Sequence, residues 1–114
     1  MICSNGYGHC KRSLKVLNEI YKINPEINFN IISNKSKLNF LKKGLNSKIY
    51  RLKFDTYLME NEPNWLDTSS LNYSNYLSWT DEFKTNKIIL SSDLVISDNN
   101  LATLLANKRT FLMG

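Results

Sequence analysis

The sequence predicts an α/β fold built on a doubly wound parallel sheet, and three observations carry that prediction. Runs of strand length at Ile27–Ser33, residues 48–54, Leu94–Ile96 and Thr110–Met113 are separated by segments with a helical period. Such alternation implies βαβ units with right-handed crossovers. Leu94-Val95-Ile96 is continuously apolar, as suits a strand covered on both faces. The segment Ser4-Asn5-Gly6-Tyr7-Gly8-His9 joins a short apolar start, Met1-Ile2, to a helix, the junction where such sheets place ligands.

Each element has its own local reason. Met1 to Ser4 supply a very short first strand. Over residues 9 to 23, Cys10, Leu14, Leu17 and Tyr21 recur at helical steps with charged residues between them, and Asn24-Pro25 ends the helix. Ile27–Ser33 is the second strand, followed by a helix over 35 to 43 that Gly44 is placed to stop. In residues 48 to 54, Tyr50, Leu52 and Phe54 alternate with Arg51 and Lys53, the pattern of an edge strand. Residues 55 to 72 show neither period and read as a long irregular connection. One helix is expected from about Tyr73 to Ser91, carried by Tyr76, Trp79, Phe83 and Leu90. A central strand at 94–96, a short helix over 101–107 and a last strand at 110–113 complete the chain. The expected strand order is 3-2-1-4-5, a Rossmann-like arrangement in which the first and fourth strands meet at the switch point. The Gly6–His9 loop and Asp98 then open into one crevice.

Composition narrows the function classes. At 114 residues the chain is a single domain. With so little sequence before the first loop and no helix after the last strand, it reads as an N-terminal lobe cut short. No apolar run approaches the roughly 20 residues needed to span a bilayer, and no secretory signal is visible. Cys3 and Cys10 form neither a disulfide framework nor a metal-ligand pattern, which favours a reduced, cytoplasmic setting. A net charge of +5 and a pI near 9.3 raise nucleic acid as a partner. The lysines at 35, 37, 42, 43, 48 and 53 read instead as wet faces of one helix and one edge strand, so no nucleic acid is expected. No metal or other cofactor is expected either.

Three motifs compete for the loop. A P-loop requires a lysine that is missing after Gly8. A dinucleotide fingerprint requires a third glycine where Lys11 stands, and an acid where Ser33 and Asn34 stand. What remains is G-x-G-H-x-x-R, formed by Gly6, Gly8, His9 and Arg12. Lys11 and Arg12 oppose the helix dipole in the first turn, and an anionic ligand or a nearby carboxylate would account for them. His9, the only histidine, stands at the mouth of the crevice. Asp98 has two compatible readings, the N-cap of the helix that follows and the partner of His9.

The run S-N-G-Y-G-H-C-K-R-S-L from Ser4, with D-L-V-I-S-D from Asp93, resembles the N-terminal lobe of GT-B-fold glycosyltransferases of the bacterial nucleotide-sugar-dependent branch. The resemblance covers the element order of nearly the whole chain but only about fifteen residues in motif. It implies an acceptor lobe whose partners are a nucleotide-sugar donor, a hydroxyl acceptor (glycan or lipid-linked) and a separate C-terminal lobe, with room for peripheral membrane contact. By the same resemblance His9 is the base that takes the acceptor proton and Asp98 orients it. Gly6, Tyr7, Gly8 and Arg12 then lie on the phosphate side, and Tyr57, Trp65 and Tyr73 on the acceptor side. The function expected is that of a partial acceptor lobe of an inverting glycosyltransferase, inactive on its own. The alternatives are a nucleotide-sugar hydrolase or epimerase of the same fold, and a stand-alone binding module.

Overall fold

The structure, a computed structural model, describes residues 1–2, 6–45, 53–59, 73–98 and 100–113. Helix α1 (Gly8–Ile23) turns Cys10, Ser13 and Leu14 inward. With α2 (Lys35–Leu45) it covers one side of a parallel pair formed by β1 (Asn28–Ser33) and β2 (Lys53–Leu58). Cys10, Leu14, Phe29, Ile31, Leu38 and Leu41 make the core there, joined by Ile2. Because side chains alternate along a strand, Ile32 of β1 points away from that cluster and into a second one.

The second cluster belongs to the other half of the chain. Helix α3 (Tyr73–Thr85), helix α4 (Lys87–Ser91) and a 3₁₀ helix, Leu101–Ala106, accompany a parallel pair formed by β3 (Val95–Asp98) and β4 (Thr110–Met113). Phe83 is fully buried here, with the Trp79 ring edge-on to it at 5.2 Å. Met1, Ile32, Met59, Ile89 and Val95 pack around them.

The expected five-stranded doubly wound sheet is therefore replaced by two separate two-stranded parallel sheets, β1-β2 and β3-β4. The reason lies in the segment between them. The Ile2 N–H donates to the Ile32 carbonyl at 2.9 Å, and the Asp98 N–H donates to the Met1 carbonyl at 2.9 Å. Ile2 and Asp98 make one isolated parallel bridge. Among the described residues a single bridge links the sheets, and no ladder continues from one sheet to the other.

Other boundaries move for local reasons. Gly44 does not stop α2, which runs on to Leu45. A Cβ at Gly44 would come within 2.9 Å of Leu14 Cδ1, so this glycine serves the close approach of two helices rather than a helix end. The third strand is described over Lys53–Leu58, which includes 53–54 of the expected strand and takes 55–58 out of the expected irregular connection; residues 48–52 and 60–72 lie outside the described residues. The expected helix from Tyr73 to Ser91 is two helices. Asn86 adopts an extended backbone and its side chain accepts from the N–H groups of Ile88 and Ile89, an N-cap that restarts the helix. The restart shifts the inward face, so Ile89 is buried where Leu90 was expected, and Leu90 is exposed. The fourth strand ends on Asp98 instead of Ile96, and the short helix beyond it is 3₁₀.

Candidate functional site

Helical spacing assembles the site. His9, Arg12 and Ser13 stand at i, i+3 and i+4 on α1, and residues so spaced share one face. Opposite that face, Asp98 closes β3. His9 Nδ1 lies 2.9 Å from Asp98 Oδ1. Ser13 Oγ donates to Oδ2 at 2.9 Å and Arg12 Nε donates to Oδ2 at 3.3 Å. Arg12 Nη2 donates to Oδ1. The carboxylate side chain is 1% exposed, whereas those of His9 and Arg12 are 25% and 39% exposed. A buried anion thus carries two partners that reach the surface.

Burial alone would push the Asp98 carboxyl up, but hydrogen bonds from Arg12, His9 and Ser13 and the charge of Arg12 outweigh it and hold the carboxyl below its usual value. The hydrogen bond to Asp98 raises Arg12 in turn, against a smaller opposing effect of burial. An ionised carboxylate only accepts hydrogen bonds, so the close approach of His9 Nδ1 assigns the proton to Nδ1. Arg12 Nη2 also stands 3.1 Å from Nδ1. Both atoms are donors in this state, and what they share is Oδ1. Nε2 then carries the lone pair, and no hydrogen bond to it occurs among the described residues.

The glycine loop stands beside this cluster. Gly6 has φ +74°, a conformation that glycine adopts without strain, and Gly8 opens α1. Tyr7 takes the N-cap place, and its own side chain makes no cap hydrogen bond. Its ring packs on Phe40 at 5.0 Å between centroids, and the Lys37 ammonium lies 3.8 Å above it. The loop is thereby tied to α2.

The residues expected at the site are distributed unevenly. The structure brings His9, Asp98 and Arg12 together, with Gly6, Tyr7 and Gly8 adjoining in the chain. Arg12 engages the Asp98 carboxylate, the second of the two explanations its position allowed. Asp98 does not stand at the N-cap place expected for it, because it closes β3 and the 3₁₀ helix beyond begins only at Leu101. Tyr57 is partly buried against the Met1, Ile32 and Trp79 cluster. Trp65 and the side chain of Tyr73 lie outside the described residues. Ser13 and Lys37 were missed; the i, i+4 spacing from His9 was the signal for Ser13, whereas nothing in the sequence singled out Lys37.

A cavity of about 440 Å³ lies elsewhere, lined by Val16, Leu17 and Ile20 of α1 with Ile88, Val95 and Ile96. Ser13 touches it, but His9, Arg12 and Asp98 do not. Of the polar cluster, this apolar recess thus reaches only Ser13. Among the described residues no group of three His, Cys, Asp or Glu is placed to hold a metal ion, and no helix is long and apolar enough to cross a membrane. Comparison with protein-family models, with curated proteins and with solved structures finds no match to this chain.

Proposed function

We propose that this chain supplies the general base and acceptor side of a sugar transfer from a nucleotide-sugar donor to a hydroxyl acceptor. The observation that carries the reading is the His9 imidazole held through Nδ1 by a buried, ionised Asp98, with Nε2 left to accept a proton. In such a reaction Nε2 takes the acceptor proton as its oxygen attacks the anomeric carbon, and the nucleoside diphosphate departs with the bonding electrons. Attack opposite the leaving group inverts the anomeric configuration. Asp98 balances the imidazolium that forms, as the carboxylate of a hydrolase triad does. A base so placed contributes about 10²–10⁴ in rate. The start of α1 and the Gly6–Gly8 loop suit the donor phosphates, because a helix N-terminus and its dipole favour anions.

The test is product analysis on the full-length protein with nucleotide sugars and alcohol acceptors. Acceptor-dependent release of nucleoside diphosphate with an inverted glycoside supports the reading. Free sugar formed at the same rate without acceptor indicates a hydrolase instead, with water in the place of the alcohol. Turnover unchanged by His9→Ala removes the base from the reading.

A further inference from the structure

We propose that Ser13 is a positioning residue that sets the tautomer of His9 through Asp98, with Arg12 as a second clamp on the same carboxylate. The inference rests on the reading of His9 as a base, although it concerns the resting protein. A carboxylate turns easily about its last torsion, whose energy well is broad and roughly two-fold. Unless something fixes that torsion, the oxygen facing an imidazole is not constant.

In this chain both oxygens are held. Oδ1 receives His9 Nδ1 at 2.9 Å together with Arg12 Nη2. Oδ2 receives Ser13 Oγ at 2.9 Å and Arg12 Nε at 3.3 Å. The two Oδ2 contacts are not equivalent. Arg12 is 39% exposed on its side chain and its Nε contact is the longer, so water competes with it and screens it. Ser13 is 4% exposed and Asp98 1%, and their hydrogen bond is sheltered from such competition. A hydroxyl has a single hydrogen to donate, and Ser13 commits it to Oδ2.

The consequence reaches the ring. With Oδ1 fixed, ionised and facing Nδ1, the proton must reside on Nδ1. An imidazole in water prefers to carry it on Nε2, so the cluster reverses the intrinsic preference and leaves Nε2 unprotonated. The Ser13 hydroxyl achieves this through Asp98 and not by a hydrogen bond to the ring. It lies one turn along the same helix face, so α1 carries both the base and the group that orients its anchor.

The experiment is long-range ¹H–¹⁵N correlation of the His9 ring in ¹⁵N-labelled protein, at a pH where the imidazole is neutral. The pattern of a protonated Nδ1 and a bare Nε2 is expected. Ser13→Ala should move the population toward Nε2–H, and Ser13→Thr, which keeps the hydroxyl, should restore it. In an Asp98→Asn background Ser13→Ala should cause no further shift, because coupled residues are not additive. If Ser13→Ala does not fold, Ser13→Cys, close in shape with a weak donor, should produce the same move. An Nε2–H pattern in the unsubstituted protein, a ring spectrum indifferent to Ser13, or an undiminished Ser13 effect in the Asp98→Asn background would each overturn the proposal. A Ser13-dependent Nδ1–H tautomer in a protein that transfers no sugar upholds the positioning and removes only the transferase reading.

Discussion

His9 and Asp98 are 89 positions apart in sequence, yet Nδ1 of one and Oδ1 of the other stand 2.9 Å from each other. The main chain sets up this meeting as well as the side chains. The Asp98 N–H donates to the Met1 carbonyl at 2.9 Å, which fixes the end of β3 beside the segment that leads into α1. One residue is thus tied to the start of the chain by its backbone and to the first helix by its carboxylate.

His9→Ala should leave the fold intact, because the ring is partly exposed and belongs to neither core cluster. Thermal melts should shift by about 0.5–1.5 kcal/mol, the net worth of one hydrogen bond, because Arg12 and Ser13 still hold the buried carboxylate. Turnover, once the donor and acceptor are found, should fall about 10²–10⁴-fold.

Acid should weaken the protein through Asp98. Its carboxyl is lower in the folded chain than unfolded, so the unfolded state binds more protons over the interval between the two values. The stabilisation is complete above the unfolded value of about 3.9 and is lost as pH falls through the folded one. Asp98→Asn should cost about 1.5–3 kcal/mol at pH 6, the range for a hydrogen bond to a charged group. Urea titrations at pH 6 and pH 3 provide the check: the gap between the two proteins should narrow at the lower pH, and a constant gap would contradict this account.

The two loop glycines should respond in opposite directions. Gly6→Ala meets no neighbour but forces a side chain onto φ +74°, at a cost of about 1–2 kcal/mol. Gly8→Ala also meets open space, at an ordinary helical position, and should stabilise by about 0.4–1 kcal/mol. If the start of α1 receives phosphate, the added methyl should nonetheless weaken nucleoside diphosphate binding, measurable by calorimetry. Equal melting shifts for both variants would contradict the assignment.

Asn86→Ala should destabilise by about 1 kcal/mol, because it removes the cap on the Ile88 and Ile89 N–H groups. Hydrogen exchange should quicken at these two amides before it quickens in α3. An unchanged rate there would mean that packing of Ile89, and not the cap, holds α4.

What the sequence alone determined is the part governed by neighbours. The period of Cys10, Leu14 and Leu17 specified α1 and its inward face, and the apolar run at Leu94–Ile96 located β3 to within two residues. His9 and Asp98 were expected to share a crevice on the strength of a 3-2-1-4-5 sheet; that sheet is not formed, and the isolated Ile2–Asp98 bridge sets the end of β3 beside the segment that leads into α1. Tertiary structure decided the rest. Whether Met1 and Ile2 form a strand depends on how many ladder bonds reach them from β1 and β3, and a single bridge leaves two sheets. Asn86 looked like any polar residue inside a helical period until its side chain was seen to compete for backbone N–H groups. Arg12 had a carboxylate and an anionic ligand as equally good explanations, and only the meeting of β3 with α1 selected Asp98. Local periods report which face a segment buries; which partners complete a buried polar cluster depends on distances between segments far apart in the chain.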